Sequence, residues 1–248
     1  MDEASENTRS SMLHAWQFPQ AIPETDVRKL ADGNLVCIHD ATLRRTATSN
    51  SPFLDTPVSL LNLAQVQSVV LEREEKVPLL EDILALMKAE KERKLYLEIK
   101  EAPFEEVYEM LVHYGVLDRI LFVHESQDYC RMIKEQLPEA ITMTWCSGTF
   151  ENIVEHFSSL EDTHFKGVSQ VQIHYPGTIE NGVLHSPLPS DFLETALTQT
   201  AAYQSELQVC PLSPSPALLR HLYEKGVRNF VSNAPHQFVN QMKCALGS

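Results

Sequence analysis

KLYLEIK, residues 94–100, is the clearest strand pattern in this chain of 248 residues. Leu, Leu and Ile occupy its odd-numbered positions while Tyr, Glu and Lys occupy the even-numbered ones, so the two sets point to opposite faces of a strand. Apolar residues at helical spacing flank this strand over 78–93 and 103–115. A strand between two helices is the unit from which mainly parallel sheets with right-handed crossovers are built.

The same alternation of strand and helix continues through most of the chain. Period-two patterns predict strands at 20–27, 34–39, 94–99, 119–124, 141–146, 167–174, 206–210 and 228–232. Helical spacing predicts helices at 5–17, 78–93, 103–115, 126–137, 149–162, 189–203 and 214–225. We therefore predict an α/β fold, for which a closed (β/α)8 barrel of the TIM type and a doubly wound open sheet are the simplest solutions.

Two segments depart from this alternation within what we expect to be a single domain spanning 1–248. The dipeptide Asp32-Gly33 is a typical hairpin turn, so residues 24–40 are predicted to form a hairpin arm that is not part of the barrel. Residues 41–77 are rich in Thr, Ser, Asn and Pro and then in Leu and Gln. We expect them to form a small insertion over one mouth of the barrel.

The charge balance restricts the kinds of partner. The chain has 34 acidic and 20 basic residues, a net charge of −14, and no basic run. Such a surface repels nucleic acids and anionic membranes, so neither is an expected partner. A cation or a small charged ligand in a local pocket remains compatible with this balance.

Cysteine usage and the absence of long apolar runs suggest where the protein works. The five cysteines are scattered and form no CxxC pair, which is typical neither of a disulfide framework nor of a thiolate zinc site. No run of about 18 apolar residues occurs, and the first residues do not resemble a signal peptide. We expect a cytoplasmic protein without a membrane span.

Acidic side chains supply the first candidate site. Glu24 and Asp26 are two apart on a predicted strand and therefore share a face, as the oxygen ligands of Ca²⁺ or Mg²⁺ often do. Glu98 and Lys100 lie on the inward face of KLYLEIK, near the strand end where barrel enzymes place catalytic groups. The alternatives are a solvated strand end for the first pair and an internally neutralised ion pair for the second.

A histidine completes the candidate site. His39, followed by Asp40, ends the predicted returning hairpin strand, at about the height of Glu24 and Asp26. Because the pKa of imidazole lies near neutrality, His39 could act as general acid or base, the alternative being a surface histidine at a strand end. The remaining histidines show no HExxH spacing, and among them only His124 and His174 follow strands closely enough to be secondary candidates.

These residues resemble the glycerophosphodiester phosphodiesterase family, a group of phospholipase-C-like TIM barrels. The similarity lies in ENT at 6–8, ETDVRKLADGNLVCIHDATLRRTAT at 24–48, VPLLEDIL at 77–84, LYLEIK at 95–100 and GVRNFVSNAP at 226–235. It is strongest from 24 to 100 and weak between 127 and 205.

The resemblance implies a metal-dependent hydrolase that cuts glycerophosphodiesters into glycerol 3-phosphate and an alcohol. Glu24, Asp26 and Glu98 would correspond to the ligands of a divalent cation, Ca²⁺ or Mg²⁺. His39 would correspond to one of two catalytic histidines. Substrate contacts would come from Lys100, near the phosphate, and from Asp40.

The chain also departs from the family pattern. The family's His-Arg-Gly block, with the other histidine, an arginine and the first barrel strand, would fall ahead of Met1, so we expect that strand to be missing or replaced and catalysis to be impaired. VCPLS at 209–213 and Asn233 replace a tryptophan-bearing strand and an aspartate. The open seam would leave room for self-association.

Three alternatives to an active enzyme of this kind follow. The first is a weak or inactive family member that binds a phosphodiester or a protein partner. The second is a shortened product of an ordinary enzyme. The third is a phosphoinositide-type phospholipase relative with the same metal and histidine arrangement.

Overall fold

The computed structural model describes residues 5–247, which divide after Val123 into two compact units. The helices and strands of the first unit are α1 (Arg9–Ala15), β1 (Glu24–Lys29), β2 (Leu35–Cys37), α2 (Leu63–Ser68), α3 (Leu80–Ala89), β3 (Leu95–Glu101), α4 (Phe104–Tyr114) and β4 (Ile120–Val123). Those of the second unit are α5 (Gln127–Gln136), β5 (Ile141–Cys146), α6 (Phe150–Asp162), β6 (Gln170–Tyr175), β7 (Thr178–Glu180), β8 (Val183–His185), α7 (Phe192–Ala202), β9 (Glu206–Pro211), α8 (Pro216–Glu224), β10 (Asn229–Phe230) and α9 (Pro235–Leu246).

In the first unit, the sheet order is β2, β1, β3, β4. β1 pairs antiparallel with β2 and parallel with β3, which in turn pairs parallel with β4. The apolar side chains of β3 are buried as its alternation predicts, and Leu95 and Leu97 are fully so. Because Asp26 is paired directly with Glu98, their side chains leave the sheet on the same face.

The predicted hairpin is present, but the prediction that it is an arm separate from the barrel strands is wrong. Its turn closes with the Leu30 amide donating to the Asn34 carbonyl over 2.8 Å. The first strand, β1, is also hydrogen-bonded along its other edge to β3. Four consecutive residues of β1, Thr25 to Arg28, are buried. A strand buried on both faces gains more from a position inside a sheet than from one at its margin.

Residues 41–77 are a packed segment that shares a hydrophobic core with Leu30, Val36 and Ile38 of the hairpin region. They contain α2 and two single turns of 3-10 helix, Val58–Leu60 and Glu72–Glu74. Leu43, Val58 and Val66 are fully buried in one hydrophobic cluster. The Asn62 side chain caps α2 by accepting from the Gln65 amide over 2.9 Å. The location of this segment over a barrel mouth stays a prediction.

The second unit places four parallel strands in the order β5, β6, β9, β10. One face of this sheet is apolar, and its Ile173 and Val209 pack in a cluster with Phe157 of α6. The opposite face carries buried polar groups, and Gln208 donates a 2.9 Å hydrogen bond to Gln170. This face is therefore stabilised by paired amides.

Most of the sequence-predicted elements are present within a few residues of their expected ends. The hairpin of β7 and β8 and the helix α9 were not predicted. Each residue of β8 is exposed, and α9 buries only Ala245 among its described residues. The three residues of β8 are too few to show an alternation. In α9, Phe238, Val239, Met242 and Leu246 do lie at helical spacing, and this pattern was overlooked. Within residues 5–247, no helix combines the length and apolarity needed to cross a bilayer.

Candidate functional site

Three carboxylates converge on one face of the first unit's sheet. Glu24, Asp26 and Glu98 each offer an oxygen, and these oxygens lie within 4.8 Å of one another. The cause is local: Glu24 and Asp26 are two apart on β1, and parallel pairing sets Glu98 beside Asp26. A compact group of carboxylate oxygens is the donor set that a hard divalent cation prefers.

The surroundings of two of these carboxylates, Glu24 and Glu98, oppose their ionisation. Asp26 is 1% exposed and Glu98 7% exposed. Glu24 reaches solvent, yet the protein packed around it, with the charges of Asp26 and Glu98, raises the pKa of its carboxyl well above the usual value. Burial also raises the pKa of Glu98, against the opposing hydrogen bond from Lys100. A positive ion among them would relieve this repulsion.

Lys100 supplies part of the missing positive charge. Its Nζ lies 2.7 Å from Glu98 Oε1 and 3.4 Å from Asp26 Oδ1. Burial alone would lower the pKa of Lys100, but the Glu98 hydrogen bond and the charge of Asp26 outweigh it and raise that pKa. With all three acids ionised, a single ammonium leaves the cluster negative. This imbalance favours a further cation.

One atom in particular fits a metal ligand. Asp26 Oδ1 is buried and accepts no hydrogen bond from the described residues, so the Lys100 ammonium gives it an ion-pair contact only. A buried carboxylate oxygen without a donor is costly unless something else binds it. The three carboxylates therefore fit a divalent cation both in geometry and in their unsatisfied charge.

Asn7 holds Asp26 in place, a role that the sequence analysis missed. Its Nδ2 donates to Asp26 Oδ2 and its Oδ1 accepts from the Asp26 amide, both over 2.9 Å. The same Oδ1 accepts from Thr25 Oγ1 over 2.5 Å. Asn7 has φ of +53°, in the left-handed region, which Asn tolerates better than most residues. The ENT motif at 6–8 was the available signal, but it carried no indication of this partner.

His39 directly follows the hairpin, with its imidazole half exposed. Ring Nδ1 lies 2.7 Å from Asp40 Oδ1. Its carbonyl accepts from Arg28 Nε and Nη2, over 3.0 and 2.8 Å. The Ile38 amide donates to the Asp26 carbonyl over 3.0 Å, which ties this segment to the strand of the carboxylates. The residue thus has a fixed backbone beside the candidate metal ligands.

The secondary histidine candidates belong to the second unit. His124 accepts from the Ser126 amide over 2.9 Å and stacks on Tyr129. His174 pairs with Gln172 over 2.9 Å, and burial lowers its pKa. Neither is among the residues that the first unit brings together around Asp26.

Comparisons with known proteins gave a family match and several structural matches. The sequence model of the glycerophosphoryl diester phosphodiesterase family matches residues 2–175. A search of curated proteins found no match.

Solved structures resemble the whole chain. A glycerophosphodiester phosphodiesterase from Agrobacterium tumefaciens is 21% identical, with a TM-score of 0.70 over 95% of this chain and 93% of that one. One from Thermotoga maritima is 18% identical, with a TM-score of 0.65 over 96% and 92%. An Oleispira antarctica phosphodiesterase in complex with the product sn-glycerol-3-phosphate is 20% identical, with a TM-score of 0.65 over 97% and 92%. These likenesses confirm the predicted α/β fold of the TIM-barrel type.

Proposed function

The chain belongs to the glycerophosphoryl diester phosphodiesterase family, and from this premise we propose that it hydrolyses glycerophosphodiesters to glycerol 3-phosphate and an alcohol with the help of Ca²⁺ or Mg²⁺. The observation that carries the proposal is the carboxylate cluster of Glu24, Asp26 and Glu98, whose oxygens lie within 4.8 Å of one another. The product-bound Oleispira structure supports the substrate class by likeness.

In this proposal different residues of the chain bind the cation, bind the phosphate and transfer the proton. Glu24, Asp26 and Glu98 would hold the cation, which when bound would neutralise phosphate oxygens. Lys100 would lie near the phosphate and contribute a second positive charge. His39 would move a proton to or from an oxygen of the diester through Nε2, because its Nδ1 faces Asp40. Asp40 remains a proposed substrate contact.

A second candidate function is binding without turnover. The 248 residues contain no His-Arg-Gly tripeptide, so the family's second histidine has no counterpart identified by sequence. Loss of a general acid or base commonly lowers a rate by about 10² to 10⁴. We propose that hydrolysis by this chain is correspondingly slow, and that a chain with no turnover would act by binding a phosphodiester or a protein partner.

Net charge and cysteine usage support a proposed substrate class and a proposed cellular compartment. A net charge of −14 supports a small-molecule substrate over a nucleic acid. Cys37, Cys130 and Cys146 are buried and form no disulfide, which supports a location in the reducing cytoplasm. Self-association is a further proposal, and light scattering of the purified chain would measure it directly.

Calorimetric titration with Ca²⁺ and with Mg²⁺ tests the metal site. We expect saturable binding to the wild-type chain and its loss in Glu98→Gln, because that change removes a ligand charge. Glu105→Gln, an exposed acid on α4, should bind as the wild type does. Equal heats for wild type and Glu98→Gln would refute the site.

Release of glycerol 3-phosphate from glycerophosphocholine and glycerophosphoethanolamine tests the reaction. We expect slow release that requires both the cation and His39. Fast release that persists in His39→Gln or in excess chelator would contradict the proposed roles. Metal binding without any release would favour the binding function.

A further inference from the structure

Arg45 links two acidic residues beside His39. Its Nε and Nη2 donate to Asp40 Oδ2 and Oδ1 over 2.7 and 3.0 Å. Its Nη1 and Nη2 donate to Glu6 Oε2 and Oε1 over 2.6 and 2.5 Å. The guanidinium therefore makes two-pronged contacts with both carboxylates, a geometry that lysine cannot reproduce.

Asp40 connects this guanidinium to the imidazole. Its Oδ1 contacts both Arg45 and ring Nδ1 of His39, the latter over 2.7 Å. Hydrogen bonds from Arg45, and then that from His39, hold the pKa of Asp40 at about 2, so it is ionised at neutral pH. An ionised carboxylate can only accept, so Nδ1 must be the donor.

We propose that Arg45 is a positioning residue, which fixes Asp40 against Nδ1 of His39 so that the neutral ring keeps its hydrogen on Nδ1 and presents the lone pair of Nε2. Glu6 holds the guanidinium from the other side. The catalytic use of this tautomer rests on the function proposed above, but the coupling between Arg45 and His39 does not. Arg28 already anchors the backbone of His39, so Asp40 and Arg45 act on the ring alone.

The adjacent arginine provides a matched control. Arg44 also forms a two-pronged pair, with Asp55, but that pair is exposed and does not include His39 or Asp40. Ion pairs as exposed as these add little to stability. Arg44→Met and Arg45→Met should therefore unfold at similar temperatures, while only Arg45→Met alters His39.

Nitrogen-15 NMR of the histidine ring, with His39→Gln for assignment, reads the tautomer without any turnover. In the wild type at a pH where the ring is neutral, we expect the hydrogen of His39 on Nδ1. Arg45→Met should move the population toward the Nε2–H form that free histidine favours, Arg45→Lys should do so less, and Arg44→Met should not. The kcat of Arg45→Met should fall on the order of 10²-fold with little change in KM, because the ring is misaligned.

The outcomes separate this inference from the proposed function. A wild type without hydrolysis, together with a tautomer shift confined to the Arg45 variants, would refute the proposed function and support the coupling. Ring shifts and kcat that stay at wild-type values in Arg45→Met would overturn the inference. If Arg45→Met fails to fold, Glu6→Gln is the substitute, because it leaves the contact between Arg45 and Asp40 intact. Glu6→Gln should shift the tautomer of His39 in the same direction by a smaller amount. An unchanged tautomer in Glu6→Gln would also overturn the inference.

Discussion

At the scale of single residues, local spacing was enough to select the three carboxylates but not the groups that hold them. Glu24 and Asp26 share a face by strand period alone, and Glu98 stands out as an acid on the inward face of a strand. Asn7 is 19 residues from Asp26, and Arg45 is 39 from Glu6. No local pattern connects such pairs, so their roles became visible only in the structure.

Removing the Asn7 amide should weaken metal binding. Asn7→Gly deletes the donor to Asp26 but still allows the left-handed backbone, so the fold should persist. Loss of a group that orients a metal ligand commonly lowers metal affinity by about 10- to 100-fold. Calcium titration of Asn7→Gly measures this effect, with Asn34→Ala in the exposed hairpin turn as the control. An unchanged affinity would show that Asp26 needs no such support.

At the scale of secondary-structure elements, the turns and strand ends followed from local chemistry. The Asp32-Gly33 turn formed where it was predicted, because Gly33 adopts a φ of +90° that other residues avoid. The position of β1 was mispredicted, since both β1 edges are paired and the second partner, β3, is distant in sequence. The strand β8 escaped prediction because three residues are too few to show an alternation, whereas the helical spacing of Phe238, Val239, Met242 and Leu246 in α9 was overlooked.

Two glycines with similar backbone angles should respond differently to alanine. Gly33 at +90° has no heavy atom near an added Cβ, whereas at Gly167, with φ of +82°, that Cβ would lie 2.8 Å from the Arg131 Cα. Gly33→Ala should cost about 1–2 kcal/mol from the left-handed backbone alone. Gly167→Ala should cost clearly more, because backbone atoms of Arg131 must move. Urea unfolding gives both free energies, and equal losses would contradict the argument.

At the scale of the whole molecule, a strongly acidic chain keeps three carboxylates within 4.8 Å of one another. Lys100 is the cation that the described residues place on two of them. The stability of the folded chain should therefore depend on what neutralises this cluster. Ions that bind only the folded state stabilise it by mass action.

Thermal unfolding measures that dependence. Calcium at about 100 times its dissociation constant should stabilise the wild type by about 2.7 kcal/mol, and a chelator should reverse this. Without metal, Lys100→Met should be less stable by about 3 kcal/mol, because Asp26 and Glu98 lose their partner, and calcium should restore much of the loss. Lys91→Met, on the exposed turn after α3, is the control. If calcium leaves the unfolding temperatures of the wild type and of both variants unchanged, the result would argue against the metal site.

The sequence by itself determined the α/β class, the Asp32-Gly33 turn, the face shared by Glu24 and Asp26, and the family likeness. These depend on backbone angles and side-chain periods that neighbouring residues set. The tertiary structure alone decided that β1 pairs with β3, that Asn7 holds Asp26, and that Arg45 joins Glu6 to Asp40. Such contacts form between residues far apart in the chain, and the packing of the whole unit selects them over many local equivalents.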